Sequence, residues 1–117
     1  MLVLIVDDSK TVQRINKQIV ESLGHKTIVA SDGQEGLASL TAEVDVVLLD
    51  VNMPILDGFG FLERSVRDRK KFGTKVFMCT TEGGREEVVR ALRLGANNYI
   101  VKPIKREVLV EKLQGLE

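Results

Sequence analysis

Short runs of β-branched and aliphatic residues alternate along the chain with stretches in which apolar residues recur every three or four positions. The runs Leu2–Val6, Thr27–Ala30, Val44–Leu49, Val76–Cys79 and Tyr99–Val101 are mostly continuous in apolar character. They predict five strands covered on both faces, as in a parallel sheet. Between them Val12, Ile15, Ile19 and Leu23 fall on one helical stripe, as do Phe59, Leu62 and Val66, then Val88 and Leu92, and finally Leu109, Leu113 and Leu116. Gly36, Leu37 and Leu40 mark a shorter second helix. Ser9, Asp32 and Asp57 stand where helix starts can be capped, and Gly24 and Gly95 where left-handed stops belong.

Five βα units joined by right-handed crossovers give an α/β, doubly wound, five-stranded parallel sheet with helices on both sides, a flavodoxin-like three-layer sandwich. The strand order 2-1-3-4-5 suits such a chain, although the sequence alone does not prove it. In that order the switch point lies between the first and third strands, and ligands bind beyond their carboxyl ends.

Composition narrows the setting. The 117 residues fit one domain, expected to span 1–117, and the hydrophobic and charged fractions of 44% and 29% are those of a folded globule. The longest uncharged apolar run, Met1 to Val6, is far short of the roughly 20 residues of a membrane span. A lone cysteine, Cys79, cannot form an internal disulfide, and no Cys/His cluster offers zinc ligands, so a cytoplasmic protein without membrane attachment is expected. With 17 basic and 17 acidic residues the chain has no field suited to nucleic acid. The charges are segregated nonetheless: residues 1–58 carry four basic and nine acidic groups, residues 59–117 thirteen and eight.

Candidate chemistry explains the acidic half. Asp7 and Asp8 follow the first strand and Asp50 the third, so three carboxylates meet at the predicted crevice. Three hard oxygen donors suit Mg²⁺, although Asp8 or Ser9 could equally cap a helix and Asp50 start a turn. Thr80 ends the fourth strand, and Lys102-Pro103 follows the fifth. Lys102 lies two strand spacings, roughly 10 Å, from the Asp50 backbone, a gap that the two side chains can span together. Singly, Lys102 reads as a solvated lysine and Thr80 as a cap for the fourth helix; together they describe an anion site beside a cation site. With no P-loop and no serine–base pair, this set suits phosphoryl transfer onto Asp50 itself. Mg²⁺ and Lys102 would neutralise the phosphoryl oxygens, and Thr80 would donate to one of them.

At this point the sequence resembles the receiver domain of two-component response regulators, the CheY-like chemotaxis regulators above all, over essentially its whole length. The carriers are "VDDS" at 6–9, "LLDVNMPILDG" at 48–58, "MCTTEGG" at 78–84 and "GANNYIVKP" at 95–103. The resemblance implies that Asp50 accepts phosphate from a histidine kinase of the CheA type, and that Asp7, Asp8, Asp50 and the backbone carbonyl of Asn52 surround Mg²⁺. It implies a phosphate-pairing Lys102 followed by a cis peptide to Pro103, and a switch pair, Thr80 and Tyr99. An output target such as the flagellar motor switch would meet the fourth helix, fifth strand and fifth helix, around which lie Arg90, Arg93, Lys105, Arg106 and Lys112. Asn52 and Glu82, two residues beyond Asp50 and Thr80, would orient the water that ends the signal. Ile104, Lys105 and Val51 depart from the usual residues, and these positions touch the output face. The run Arg67, Arg69, Lys70, Lys71 reads as a solvated helix end.

Rival readings fit less well. A haloacid-dehalogenase-like phosphatase needs a second Asp where Asn52 stands, and an FMN phosphate would be repelled by Asp7 and Asp8. The expectation is therefore a monomeric signalling switch that turns over only its own phosphate, either a stand-alone regulator or a receiver unit from a longer one.

Overall fold

The strands are β1 (Leu2–Val6), β2 (Lys26–Ala30), β3 (Val46–Asp50), β4 (Lys75–Thr80) and β5 (Asn98–Val101), alternating with helices α1 (Lys10–Ser22), α2 (Gly33–Ser39), α3 (Gly58–Phe72), α4 (Arg85–Arg93) and α5 (Arg106–Gln114). The computed structural model describes residues 1–81 and 84–116. All strand pairs are parallel, in the order β2-β1-β3-β4-β5.

Strand periodicity divides the core in two. Leu4, Val6, Val47, Leu49, Val76 and Met78 point to one side of the sheet, where Phe61 and Leu62 of α3 and Ala91 of α4 cover them. Val3, Ile5, Val46, Leu48, Phe77 and Cys79 point to the other, under Ile19 and Val20 of α1 and Leu109 and Leu113 of α5. Both faces of the central strands β1, β3 and β4 are therefore dry, which is why these runs carry almost no polar residue.

Capping follows the sequence. Ser9 accepts from the Val12 N–H at 3.2 Å, Asp32 from the Glu35 N–H at 2.8 Å and Asp57 from the Gly60 N–H at 2.8 Å. Gly24 and Gly95 hold φ of 88° and 98°, where a side chain would be strained.

The helix stripes need correction. Ile15, Val66 and Leu92 are exposed, and the buried face of α1 is Gln13, Asn16, Ile19 and Val20. Two buried amides rotate that face away from the apolar pattern, because a polar residue at the helix start turns toward the end of β1. The third strand also begins at Val46 and includes Asp50. Val44 is buried in a turn instead, its N–H donating to the Thr41 carbonyl at 3.1 Å.

Candidate functional site

Register brings the chemistry to one edge. Val6 pairs with Leu49 and Leu49 with Met78, so Asp7 leaves β1 at the level of Asp50, and Asp50 is level with Cys79. Thr80 pairs with Val101 at the end of the sheet, and the Lys102 N–H donates to the Thr80 carbonyl at 2.6 Å, which fixes where the lysine leaves β5. The Lys102–Pro103 peptide is cis.

Each acid is held differently. Asp7 is buried; its Oδ1 accepts from the Ser9 N–H at 2.9 Å and its Oδ2 from Lys102 Nζ at 3.1 Å. Asp50 is buried, and its Oδ1 accepts from the Val51 N–H at 2.9 Å and from Lys102 Nζ at 2.7 Å. Asp8 is exposed, yet Asp7, Asp8 and Asp50 each offer an oxygen within 4.8 Å of the others. The gap between Lys102 and Asp50 across β4 is thus closed by their side chains alone.

Burial pushes the Asp50 carboxyl above its usual value, and the charge of Asp7 adds to that, outweighing the pull of the Lys102 hydrogen bond. Burial by itself would lower Lys102, but its hydrogen bonds to Asp50 and Asp7 leave the ammonium above its ordinary value. Among the described residues Lys102 pairs with Asp7 and Asp50, and Asp8 adds a third carboxylate to the cluster. The remaining negative charge and the all-oxygen donor set fit a hard divalent cation.

Thr80 is buried at 1% exposure, and its hydroxyl has no hydrogen-bond partner among the described residues. It does not cap α4, which starts at Arg85 from an N-cap at Gly84 with no side-chain cap. This leaves a buried hydroxyl one position past the level of Asp50 without the partner that such a group normally has. Tyr99 stands on the neighbouring strand with 41% exposure, and the Lys112 ammonium lies 5.9 Å from its ring centre. Asn52 is exposed just past Asp50, and Glu82 lies outside the described residues.

Two supports were not legible in the sequence. Gly58 donates its N–H to the Val51 carbonyl at 2.9 Å, and a Cβ there would stand 2.3 Å from the Asp50 carbonyl oxygen. Gln13, buried on α1, donates its Nε2 to the Asp7 carbonyl and, at 3.3 Å, to Ser31 Oγ. A polar residue four positions after the Ser9 cap, facing the strand end, was the available signal.

The family model for the response regulator receiver domain matches residues 3–114. The chain belongs to the response regulator receiver domains. This receiver domain is 43% identical to a "Chemotaxis protein CheY homolog" of Campylobacter jejuni (strain 81-176), covering 97% of this chain and 90% of the relative. It is 41% identical to "Chemotaxis protein CheY1" of Helicobacter pylori (strain J99), covering 97% and 94%. Among solved structures, chemotaxis protein CheY4 of Vibrio cholerae superposes with a TM-score of 0.88 at 35% identity, covering 99% of this chain and 98% of that one. A CheY-like receiver domain protein from Methanospirillum hungatei gives 0.86 at 33%, covering 97% and 90%. The receiver domain is thus homologous to CheY chemotaxis response regulators and is of the signalling-switch type. No helix among the described residues is long and apolar enough to cross a membrane.

Proposed function

We propose that residues 1–117 act as one phosphorylation-dependent switch, with Asp50 as the phosphoacceptor. The observation that carries this reading is the Lys102 ammonium 2.7 Å from Asp50 Oδ1, beside two further carboxylates. An Asp50 oxygen attacks the phosphorus of a phosphohistidine on a CheA-type kinase. The P–N bond breaks, and its electron pair stays on the imidazole nitrogen.

Asp7, Asp8, Asp50 and the Asn52 carbonyl are the groups that would hold Mg²⁺. The ion would supply positive charge at the equatorial phosphoryl oxygens. Lys102 contributes the same from the β5 side. Its ammonium exchanges a carboxylate oxygen for a phosphoryl oxygen without leaving the crevice. The Thr80 hydroxyl donates to another phosphoryl oxygen, which gives a buried polar group its missing partner. Once Thr80 is drawn inward, Tyr99 follows and the face of α4, β5 and α5 changes.

Arg90, Arg93, Lys105, Arg106 and Lys112 favour a target segment rich in acidic residues, such as a flagellar switch protein. Asn52 and Glu82 orient the water that hydrolyses the acyl phosphate, so the only substrate turned over is the domain's own modification. The setting is cytoplasmic and the resting form monomeric.

The test is intact mass after incubation with acetyl phosphate and MgCl₂. One added phosphoryl group with Mg²⁺ and none in excess EDTA supports the reading; equal modification under both conditions contradicts it.

A further inference from the structure

Asp8 differs from the other two acids in that its carboxylate accepts no hydrogen bond from the described residues. Asp7 is fixed by Ser9 and Lys102, and Asp50 by Val51 and Lys102. The point from which the Asp8 side chain projects is set by the backbone that carries it, the Asp7–Asp8 peptide. The Asp7 N–H donates to the Ala30 carbonyl of β2 at 3.0 Å, which holds the residue to the sheet. The carbonyl of that peptide receives its hydrogen bond from a side chain, Gln13 Nε2.

Gln13 is 6% exposed, and its second proton goes to Ser31 Oγ at 3.3 Å, in the loop that links β2 to α2. Lys10 Nζ also meets Ser31 Oγ at 3.3 Å, and the Ser31 N–H approaches Glu35 Oε2 at 3.3 Å. One amide on the first helix thus ties together the peptide between two acids and a neighbouring loop that is itself anchored. An amide NH₂ suits this task because it has two donors and no charge, so it holds the peptide without competing with a cation for the carboxylates.

We infer that Gln13 is a positioning residue for the cation site, orienting the Asp7–Asp8 peptide so that the exposed Asp8 carboxylate joins Asp50 in holding a divalent ion. The inference rests on the proposed Mg²⁺-dependent function and concerns only how the cation is held. Outer residues that aim metal ligands change affinity by about tenfold or more when removed, although they never touch the ion.

The experiment titrates the full chain with Mg²⁺ alone and follows amide shifts of residues 7–9 and 50–52. In parallel, melting temperature is read in EDTA and in saturating Mg²⁺. Wild type binding Mg²⁺ with shifts at both segments is the control on the parent reading, and its absence would overturn that reading rather than the role of Gln13. Gln13→Met keeps length and removes both donors. Gln13→Asn keeps a small polar amide but withdraws it by one methylene, which serves if the methionine variant folds poorly. Each variant should bind Mg²⁺ about tenfold more weakly and gain less melting temperature from it. Ser31→Ala, which leaves the bond to the Asp7 carbonyl, should bind within about twofold of wild type. A lower melting temperature in EDTA with unchanged Mg²⁺ affinity would make Gln13 merely structural and overturn the inference. An equal loss in Ser31→Ala would do the same.

Discussion

Lys102 Nζ lies 2.7 Å from Asp50 Oδ1, and that contact joins the last residue of β3 to the first residue past β5 across the whole width of β4. The same nitrogen holds Asp7 at 3.1 Å, so one flexible side chain compensates two buried carboxylates. Removing it leaves both acids without their cation in a site already unfavourable to charge. Lys102→Met should therefore lose stability in EDTA, by less than the roughly 3–5 kcal/mol of a fully buried pair because the Lys102 side chain is 22% exposed, and Asp50→Asn should instead be more stable than wild type there, since it removes one of three converging charges. Urea unfolding midpoints check both signs, and a Lys102→Met protein as stable as wild type would show that the contact compensates nothing.

Gly58 governs how closely α3 approaches Asp50. A methyl group at that position would meet the Asp50 carbonyl oxygen at 2.3 Å and the Val51 Cα at 3.1 Å, both of them backbone atoms that cannot swing aside. Gly58→Ala should cost about 2 kcal/mol through this overlap and should slow modification of Asp50 by shifting its backbone. Gly73→Ala, which has open space but a φ of 73°, should cost about 1 kcal/mol and leave the modification rate unchanged. Comparing the two rates with acetyl phosphate separates a local effect at the site from general destabilisation.

Cys79 gives the fold an alkaline limit. Burial pushes its thiol up to about 12, although the Lys102 charge pulls the other way. In the unfolded chain the thiol ionises near pH 8.5, so above that value the unfolded state gains from losing a proton that the folded state retains. The stability associated with the retained proton is complete below about pH 8.5 and is lost progressively as pH rises toward 12, by up to about 1.4 kcal/mol per pH unit. Cys79→Val, measured against wild type by urea unfolding at pH 7.5 and pH 10, should gain on wild type at the higher pH. A constant difference between the two proteins would mean that the thiol titrates alike in both states.

The division between what the sequence disclosed and what it withheld has a physical basis. Strands buried on both faces leave a signal that survives in one dimension, since every position must be apolar, and this is why β1 and β4 were visible almost to the residue. Caps at Ser9, Asp32 and Asp57 were equally plain, because a side chain that accepts from a backbone N–H three residues on is a local arrangement. Asp7, Asp50, Thr80 and Lys102 were found as strand-end residues, and parallel register then brings them together. What failed were features decided by tertiary proximity. Ile15 lies on the apolar stripe of α1 but is exposed, because Gln13 and Asn16 are the residues turned inward. Ile55, at φ 70° and 81% exposed, is held in a tight turn by the Leu56 N–H donating to the Pro54 carbonyl at 2.7 Å, a conformation no β-branched residue announces. Likewise the ring of Phe59 sits 4.2 Å beneath the Arg90 guanidinium, a link between α3 and α4 for which neither residue type is diagnostic.

Trapping the acyl phosphate bond identifies the residue that carries the phosphoryl group. Protein incubated with acetyl phosphate and Mg²⁺ is reduced with borohydride, which converts an aspartyl phosphate to homoserine, and is then digested and sequenced by mass. Homoserine is expected at position 50 alone, with no conversion at any position in Asp50→Asn. Conversion of Asp7 or Asp8 in the wild type, or modification of Asp50→Asn to the wild-type extent, would contradict Asp50 as the acceptor.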